Sequence, residues 1–156
     1  MGERARKNVH DVVLALGGGS VLDAAKAIAL LATNSGKIEQ YEGREKYSNP
    51  PLPVIAVPTT CGTGSEVTWV SVITDIEQKF KMSIKGRKMF PAAAVVDPDV
   101  IMSLPAAVIA STGMDALTHA VEAFTVKPAT PVTDLFALEA IRRIWKSLPQ
   151  AYEDIS

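Results

Sequence analysis

The stretch VVLALGGGSVLDAAKAIALLAT, residues 12–33, decides the fold of this 156-residue chain. It opens with five apolar residues, which is typical of a strand buried on both faces of a parallel sheet. A glycine-rich turn follows, and then apolar residues recur at helical spacing up to Thr33. A helix that begins at such a turn presents unpaired N–H groups and a partial positive charge to an anion. We therefore predict a pyrophosphate site at Gly17, Gly18, Gly19 and Ser20; on this motif alone, a tight structural turn explains the glycines equally well.

The pattern after residue 33 predicts more strands and then a change to helices. Buried strands are predicted over residues 53–57 and 92–96, with a hairpin formed by residues 67–74 and 79–84. Helices are predicted over residues 104–110, 113–125 and 131–147, and another begins near residue 149. Thr130 is the predicted N-cap of the third helix, with a proline at its first position. This change from strand patterns to helical patterns predicts an α/β domain over residues 1–103 and the start of an all-helical domain over residues 104–156.

Composition and charge exclude several classes of function. The formal net charge of −1 offers no basic field for nucleic acid. The longest apolar run, residues 27–32, is far shorter than the roughly 20 residues of a membrane span. A single cysteine, Cys61, excludes an internal disulfide framework and suits a reducing compartment. We expect a soluble cytoplasmic protein with neither a nucleic-acid nor a membrane partner.

A second polar loop, PTTCGTGSE at residues 58–66, follows the predicted strand at 53–57. It holds four hydroxyl groups and two glycines, so it can donate many hydrogen bonds to phosphate or ribose oxygens and bend closely around them. A polar surface loop is the alternative interpretation. Open α/β sheets bind ligands at the carboxyl ends of their strands, and two such loops there favour a ligand site.

Asp115 and His119 form the third candidate site. They are four residues apart in a predicted helix, so their side chains share one face. Both are ligands of divalent metals, and the combination suits Fe²⁺ or Zn²⁺ rather than Ca²⁺. Taken alone, such a pair is more often solvated or hydrogen-bonded. The small apolar residues around it favour the metal interpretation, because they are a poor environment for an unpaired carboxylate.

The three motifs together resemble the iron-containing (group III) alcohol dehydrogenase family. The matching segments are LGGGSVLDAAK at 16–26, PTTCGTGSEVT at 58–68, VITD at 72–75, and VVDPDVIMSLP through GMDALTHAVEA at 95–123. The resemblance implies a Rossmann-like α/β nucleotide-binding domain followed by a helical domain, with the active site in a cleft between them. It also implies hydride transfer between an alcohol or aldehyde substrate and NAD or NADP.

The same resemblance assigns roles to individual residues. It implies that the glycine turn binds the pyrophosphate and that Thr59, Thr60, Thr68 and Lys81 contact the cofactor. Asp23 points toward the cofactor and substrate, or instead forms an ion pair with Lys26. Asp115 and His119 correspond to the first two ligands of Fe²⁺ or Zn²⁺ and are the expected catalytic pair.

The departures from the family pattern set the remaining expectations. The βα units that precede the glycine turn in the family are absent, as are two later histidine ligands, and His10 matches no ligand position. The chain is therefore expected to be part of a longer polypeptide, a truncated product, or an inactive nucleotide-binding remnant. A polyol dehydrogenase or a keto or aldehyde reductase is the other alternative. An incomplete parallel sheet leaves a strand edge unpaired, so we also expect a homo-oligomer.

Overall fold

The computed structural model describes residues 10–154, which form two sheets and three α-helices. Short 3₁₀ turns join several of the elements. In chain order, the strands and helices are β1 (Val13–Gly17), α1 (Gly19–Thr33), β2 (Gly43–Arg44), β3 (Val54–Pro58), β4 (Val70–Asp75), β5 (Phe80–Lys85), β6 (Ala93–Ala94), α2 (Ala106–Thr125) and α3 (Pro131–Glu153).

The first sheet is parallel and has the strand order β1-β3-β6. Residues of β1 and β3 are in register, with Leu14 opposite Ile55 and Gly17 opposite Pro58. Helix α1 packs on one face and buries a core of small and branched side chains: Ala15, Leu22, Ala25, Ala29, Val54 and Ala56. The predicted parallel sheet and its crossover helix are confirmed, and the carboxyl ends of β1 and β3 lie at the same edge.

The prediction that the first strand is buried on both faces is wrong in the described part of the chain. Ala15 is 3% exposed, whereas Leu14 and Leu16 are 70% and 61% exposed. Side chains alternate between the faces of a strand, and α1 covers one face only. The predicted buried strand over residues 92–96 is likewise exposed, and regular strand structure there shrinks to Ala93–Ala94.

The second sheet has the order β2-β5-β4, with β4 and β5 forming the predicted antiparallel hairpin. Strand β4 begins at Val70 rather than at residue 67, because Ser65–Val67 forms a 3₁₀ turn. Asp75 Oδ1 accepts hydrogen bonds from the backbone N–H groups of Glu77 and Gln78, and this closes the hairpin turn. Leu30, Tyr41, Ile84 and Met89 form the core beneath this sheet.

The helical part consists of α2 packed against α3. The predicted break between residues 110 and 113 is wrong, since α2 continues without interruption through Gly113. A Cβ atom at Gly113 would clash with Leu148 Cδ1, so this glycine allows α2 and α3 to approach closely and does not end a helix. The predicted new helix near residue 149 is also wrong, because α3 runs through Pro149 to Glu153. The N-cap is confirmed, with Thr130 accepting from Thr133 N.

Contacts divide the chain into two units. One holds the described residues up to Thr59 together with Gly64–Asp97, and the other holds Thr60–Thr63 and the described residues from Pro98 onward. The predicted domain boundary at residue 103 lies slightly after the division between Asp97 and Pro98, since the 3₁₀ turn Pro98–Ile101 belongs to the helical unit. Among the helices of residues 10–154, none has both the length and the apolar character needed to cross a bilayer.

Candidate functional site

The glycine turn joins the end of β1 to the start of α1. Gly17 has φ +155°, and a Cβ atom there would lie 2.7–2.9 Å from the Val21 side chain, so only glycine fits. Gly18 is the N-cap of α1, with φ −73° and ψ 179°, a conformation that any residue adopts. Glycine at position 18 is thus not required by the backbone.

The N-terminus of α1 has the properties of an anion site. Among residues 10–154 no side chain caps it, and its first turn contains no acidic residue. The Gly18 carbonyl accepts from Val21 N and Leu22 N, and the exposed Ser20 lies in the same turn. A 15-residue helix places a partial positive charge at such an end. The turn therefore fits a dinucleotide pyrophosphate, with Gly17, Gly18, Gly19 and Ser20 around it.

The second polar loop begins beside this turn. Thr59 N donates a hydrogen bond of 3.0 Å to the Gly17 carbonyl, so the residues after β3 continue alongside those after β1. Thr59 is half-buried and lies in the same unit as the glycine turn, while the half-buried Thr60 is grouped with the helical unit. The parallel pairing of β1 and β3 thus brings Thr59 and the glycine turn together, as the sequence predicted.

Lys26 is the residue near this site whose importance the sequence reasoning missed. Its side chain is 1% exposed, and its Nζ donates to Ser65 Oγ, the Thr68 carbonyl and the Val70 carbonyl at 2.8–2.9 Å. Burial lowers the pKa of Lys26 from 10.5 to about 8, an effect that the carboxylates of Asp23 and Glu66 partly oppose. The available signal was its position on the apolar face of α1, one turn after Leu22.

Asp23 lies one turn before Lys26 and is tied into the same region. Its Oδ1 accepts from Ser65 Oγ at 2.7 Å, and its Oδ2 accepts from Val72 N at 3.1 Å. Its Oδ1 is also 4.0 Å from Lys26 Nζ, so the ion pair considered from the sequence is present. The side chain is 16% exposed, and its role toward the cofactor stays a prediction.

The other two predicted cofactor residues lie on the hairpin side of the same unit. The Thr68 carbonyl and hydroxyl both accept from Lys26, the hydroxyl at 3.3 Å, so Thr68 is tied to α1. Lys81 is exposed on β5, opposite Thr74 of β4 in the antiparallel ladder. Their contacts with a cofactor remain predictions.

Asp115 and His119 lie one turn apart on α2. His119 Nε2 is 3.8 Å from Asp115 Oδ1, and the two side chains are 53% and 44% exposed respectively. The apolar environment that we expected around the pair is therefore absent in the described residues, because this face of α2 is largely uncovered. Donors that each lie about 2.0–2.2 Å from one ion can be at most about 4.4 Å apart. The pair therefore fits as two ligands of one metal ion.

Within residues 10–154, no group of three or more histidine, cysteine, aspartate or glutamate side chains is arranged to hold a metal ion. His10, the chain's other histidine, is exposed and lies far along the chain from α2. An apolar cavity of about 480 Å³ lies between α2 and α3, but neither Asp115 nor His119 lines it. The described residues thus place the Asp115/His119 pair on α2 and the glycine turn in the other unit.

Comparison with known proteins relates both parts of the chain to one family. The family model described as iron-containing alcohol dehydrogenase matches residues 1–98, and the model described as Fe-containing alcohol dehydrogenase family, C-terminal, matches residues 109–156. The NAD-dependent methanol dehydrogenase of Bacillus methanolicus is 48% identical over 141 residues, covering 90% of this chain and 37% of its own length. The 1,3-propanediol dehydrogenase of Klebsiella pneumoniae is 47% identical over 146 residues, covering 94% and 38%.

Solved structures give the same relationship. A crystal structure of 1,3-propanediol oxidoreductase superposes with a TM-score of 0.94 at 44% identity, covering 99% of this chain and 41% of that one. Sulfoacetaldehyde reductase from Bifidobacterium kashiwanohense, solved in complex with NAD⁺, gives 0.92 at 42% identity and the same coverage. The chain therefore spans about two fifths of the length of the proteins that it matches.

Proposed function

Since the chain belongs to the iron-containing alcohol dehydrogenase family, we propose that its protein transfers a hydride between an alcohol and NAD or NADP. Asp115 and His119 would hold the divalent metal, Fe²⁺ or Zn²⁺, that this reaction uses. The observation that carries the proposal is the uncapped N-terminus of α1 beside Thr59, joined through the hydrogen bond from Thr59 N to the Gly17 carbonyl. This is a ready anion site at the carboxyl ends of two parallel strands.

In this mechanism the first unit, together with Thr60, binds and orients the cofactor. The turn Gly17, Gly18, Gly19 and Ser20 would hold the pyrophosphate through backbone N–H groups and the Ser20 hydroxyl. Thr59, Thr60, Thr68 and Lys81 would supply further hydrogen bonds to the dinucleotide, and Asp23 would face its reactive end. The protein supplies binding and orientation, while the hydride chemistry belongs to the cofactor.

Asp115 and His119 would be the catalytic pair through the metal that they hold. A bound divalent ion supplies Lewis acidity, which lowers the pKa of an alcohol hydroxyl and favours its ionised form. The carboxylate of Asp115 and Nε2 of His119 would keep that ion in place from one face of α2. Their 3.8 Å separation supports this assignment.

The proposal is tested on the complete protein that carries this sequence, by measuring metal content and NADH affinity together. His119→Ala is expected to lose the metal and turnover. Its NADH affinity should stay within about twofold, because residues without shared partners act nearly independently. Thr118→Ala is the matched control, since this exposed neighbour on α2 bonds only locally to the Met114 carbonyl in the described residues. Retention of metal and activity in His119→Ala would make the pair structural.

Two other functions have specific support. The first is a nucleotide-binding protein without catalysis, for which the glycine turn at the start of α1 is enough. NADH binding without metal or turnover in the wild-type protein would establish that alternative. The similarity to sulfoacetaldehyde reductase and 1,3-propanediol dehydrogenase favours an aldehyde or keto reductase or a polyol dehydrogenase of the same family. Steady-state rates with a panel of simple alcohols, diols and aldehydes distinguish these substrate classes.

We also propose that the protein is cytoplasmic and that residues 1–156, expressed alone, form homo-oligomers. Strand β1 lies at the end of the described sheet, and Leu14 and Leu16 are 70% and 61% exposed on its uncovered face. An unpaired strand edge beside exposed apolar side chains is a template for association, most simply with a second copy. Sedimentation velocity over a range of concentrations tests this, and a stable monomer at high concentration contradicts it.

A further inference from the structure

The ammonium of Lys26 makes all of its possible hydrogen bonds inside the first unit. Its four nearest acceptors are Ser65 Oγ, the Thr68 carbonyl, Thr68 Oγ1 and the Val70 carbonyl, at 2.8–3.3 Å. An ammonium has three N–H donors, so these acceptors use all of them. Because the side chain is 1% exposed, Lys26 serves the protein interior rather than solvent.

These acceptors all belong to one segment, residues 65–70, which leads from the second polar loop into β4. This segment and Ser71, the residue directly after it, make two further contacts with α1. Ser65 Oγ, which accepts from Lys26, donates to Asp23 Oδ1, and Ser71 Oγ donates to the Asp23 carbonyl at 2.8 Å. One turn of α1 is thus hydrogen-bonded to the segment that carries Thr68. Through Ser65, the same segment orients the Asp23 carboxylate.

We propose that Lys26 is a positioning residue for dinucleotide binding, whose ammonium holds residues 65–70 on α1 and so keeps Thr68 and Asp23 in place. This inference rests on the proposed function, because it assumes that these two residues face the cofactor. Lys26 acts through them and does not touch the cofactor itself.

The ammonium, rather than a neutral amine, is required for this role. When the ammonium loses a proton, it becomes a neutral amine that donates only two hydrogen bonds. One of the acceptors would then be released. Within the described part of the chain, the charged groups that face Lys26 are Asp23, from its own helix, and Glu66, from the 3₁₀ turn. Burial brings the pKa of Lys26 to about 8, so this loss occurs at a pH that is accessible to a binding experiment.

The test measures the affinity of the complete protein for NADH and NADPH between pH about 7 and about 9.5. All proteins carry Cys61→Ala, so that the chain's only thiol contributes nothing to the pH dependence. Affinity is expected to be constant below the pKa of Lys26 and to fall by up to about tenfold per pH unit above it, as one-proton linkage requires. A constant affinity across the whole range would overturn the proposal.

Two variants and a matched control complete the experiment. Lys26→Met should bind about tenfold or more weakly with no pH dependence, and Ser65→Ala should weaken binding in the same direction. The control is Asn34→Ala, which removes a buried side chain that bonds to Leu30, Ser48 and Asn49 near the other end of α1. It should lower stability but keep the affinity and its pH profile.

The outcomes separate this inference from the function on which it rests. If the protein that keeps Lys26 binds neither NADH nor NADPH at any pH, the proposed function fails and the inference fails with it. If it binds but Lys26→Met binds equally well, only the inference fails. An equal loss of affinity in Asn34→Ala would mean that general loosening of α1 explains the effect. If Lys26→Met does not fold, the pH profile and Ser65→Ala decide the matter.

Discussion

Replacing Gly18 with valine should separate ligand binding from folding at the glycine turn. The φ of −73° and ψ of 179° at Gly18 are accessible to valine, so the chain can keep its path between β1 and α1. The change should cost the fold only about 1 kcal/mol, since valine is a poorer N-cap than glycine. The branched side chain would, however, stand where a pyrophosphate must approach the uncapped first turn of α1.

The expected loss of affinity follows from the contacts that the turn offers. Hydrogen bonds to a charged group contribute about 1.5–3 kcal/mol each. Losing two of them partially, together with the favourable helix dipole, corresponds to roughly 3 kcal/mol, or about 100-fold in the dissociation constant. Isothermal titration calorimetry with NADH and NADPH measures this loss, and circular dichroism confirms that the variant is folded.

Gly17→Ala is the contrasting variant. Its Cβ atom would lie within 2.7–2.9 Å of the Val21 side chain, so this change should destabilise the fold rather than act on binding alone. The reasoning is refuted if a folded Gly18→Val protein binds both dinucleotides with unchanged affinity. In that case the turn would serve only to connect β1 to α1.

The remaining predictions concern stability. The pKa of Lys26 falls from 10.5 in the unfolded chain to about 8 in the folded one, so the unfolded chain binds more protons between these values and stability rises with pH. The free energy of unfolding, measured with urea, should rise from the lower to the upper end of this pH window. The rise should exceed that of Lys26→Met by up to roughly 3 kcal/mol. Gly113→Ala should destabilise the helical unit by about 1–3 kcal/mol through its clash with Leu148, and Leu148→Ala should relieve part of that cost in a double-mutant cycle. Thr130→Ala should lower the free energy of unfolding by about 1 kcal/mol, because it removes the N-cap of α3; an unchanged urea midpoint and slope would contradict this.

Features that depend on neighbouring residues were predictable from the sequence. The glycine turn, the hairpin and the Thr130 cap follow from residue types within a few positions of one another. The same holds for the Asp115/His119 pair, because helical spacing alone brings their side chains within 3.8 Å. The order of motifs along the chain was enough to indicate the family.

Tertiary packing decided the features for which the predictions from local sequence were wrong. Gly113 reads as a break in a helix, yet contact with Leu148 in α3 makes it a point of close approach. Leu14 belongs to an apolar run that reads as buried, but its exposure depends on whether anything covers that face of the sheet. Neither outcome is encoded within a window of one helix or strand.

Lys26 illustrates the difference most directly. The sequence places it on the apolar face of α1, where a lysine alone would be costly to bury. Its acceptors come from residues about 40 positions later, after β3 and the polar loop have returned the chain to α1. Local patterns therefore determined most of the elements and the family, while the buried charge and its partners exist only because the folded chain brings distant segments together.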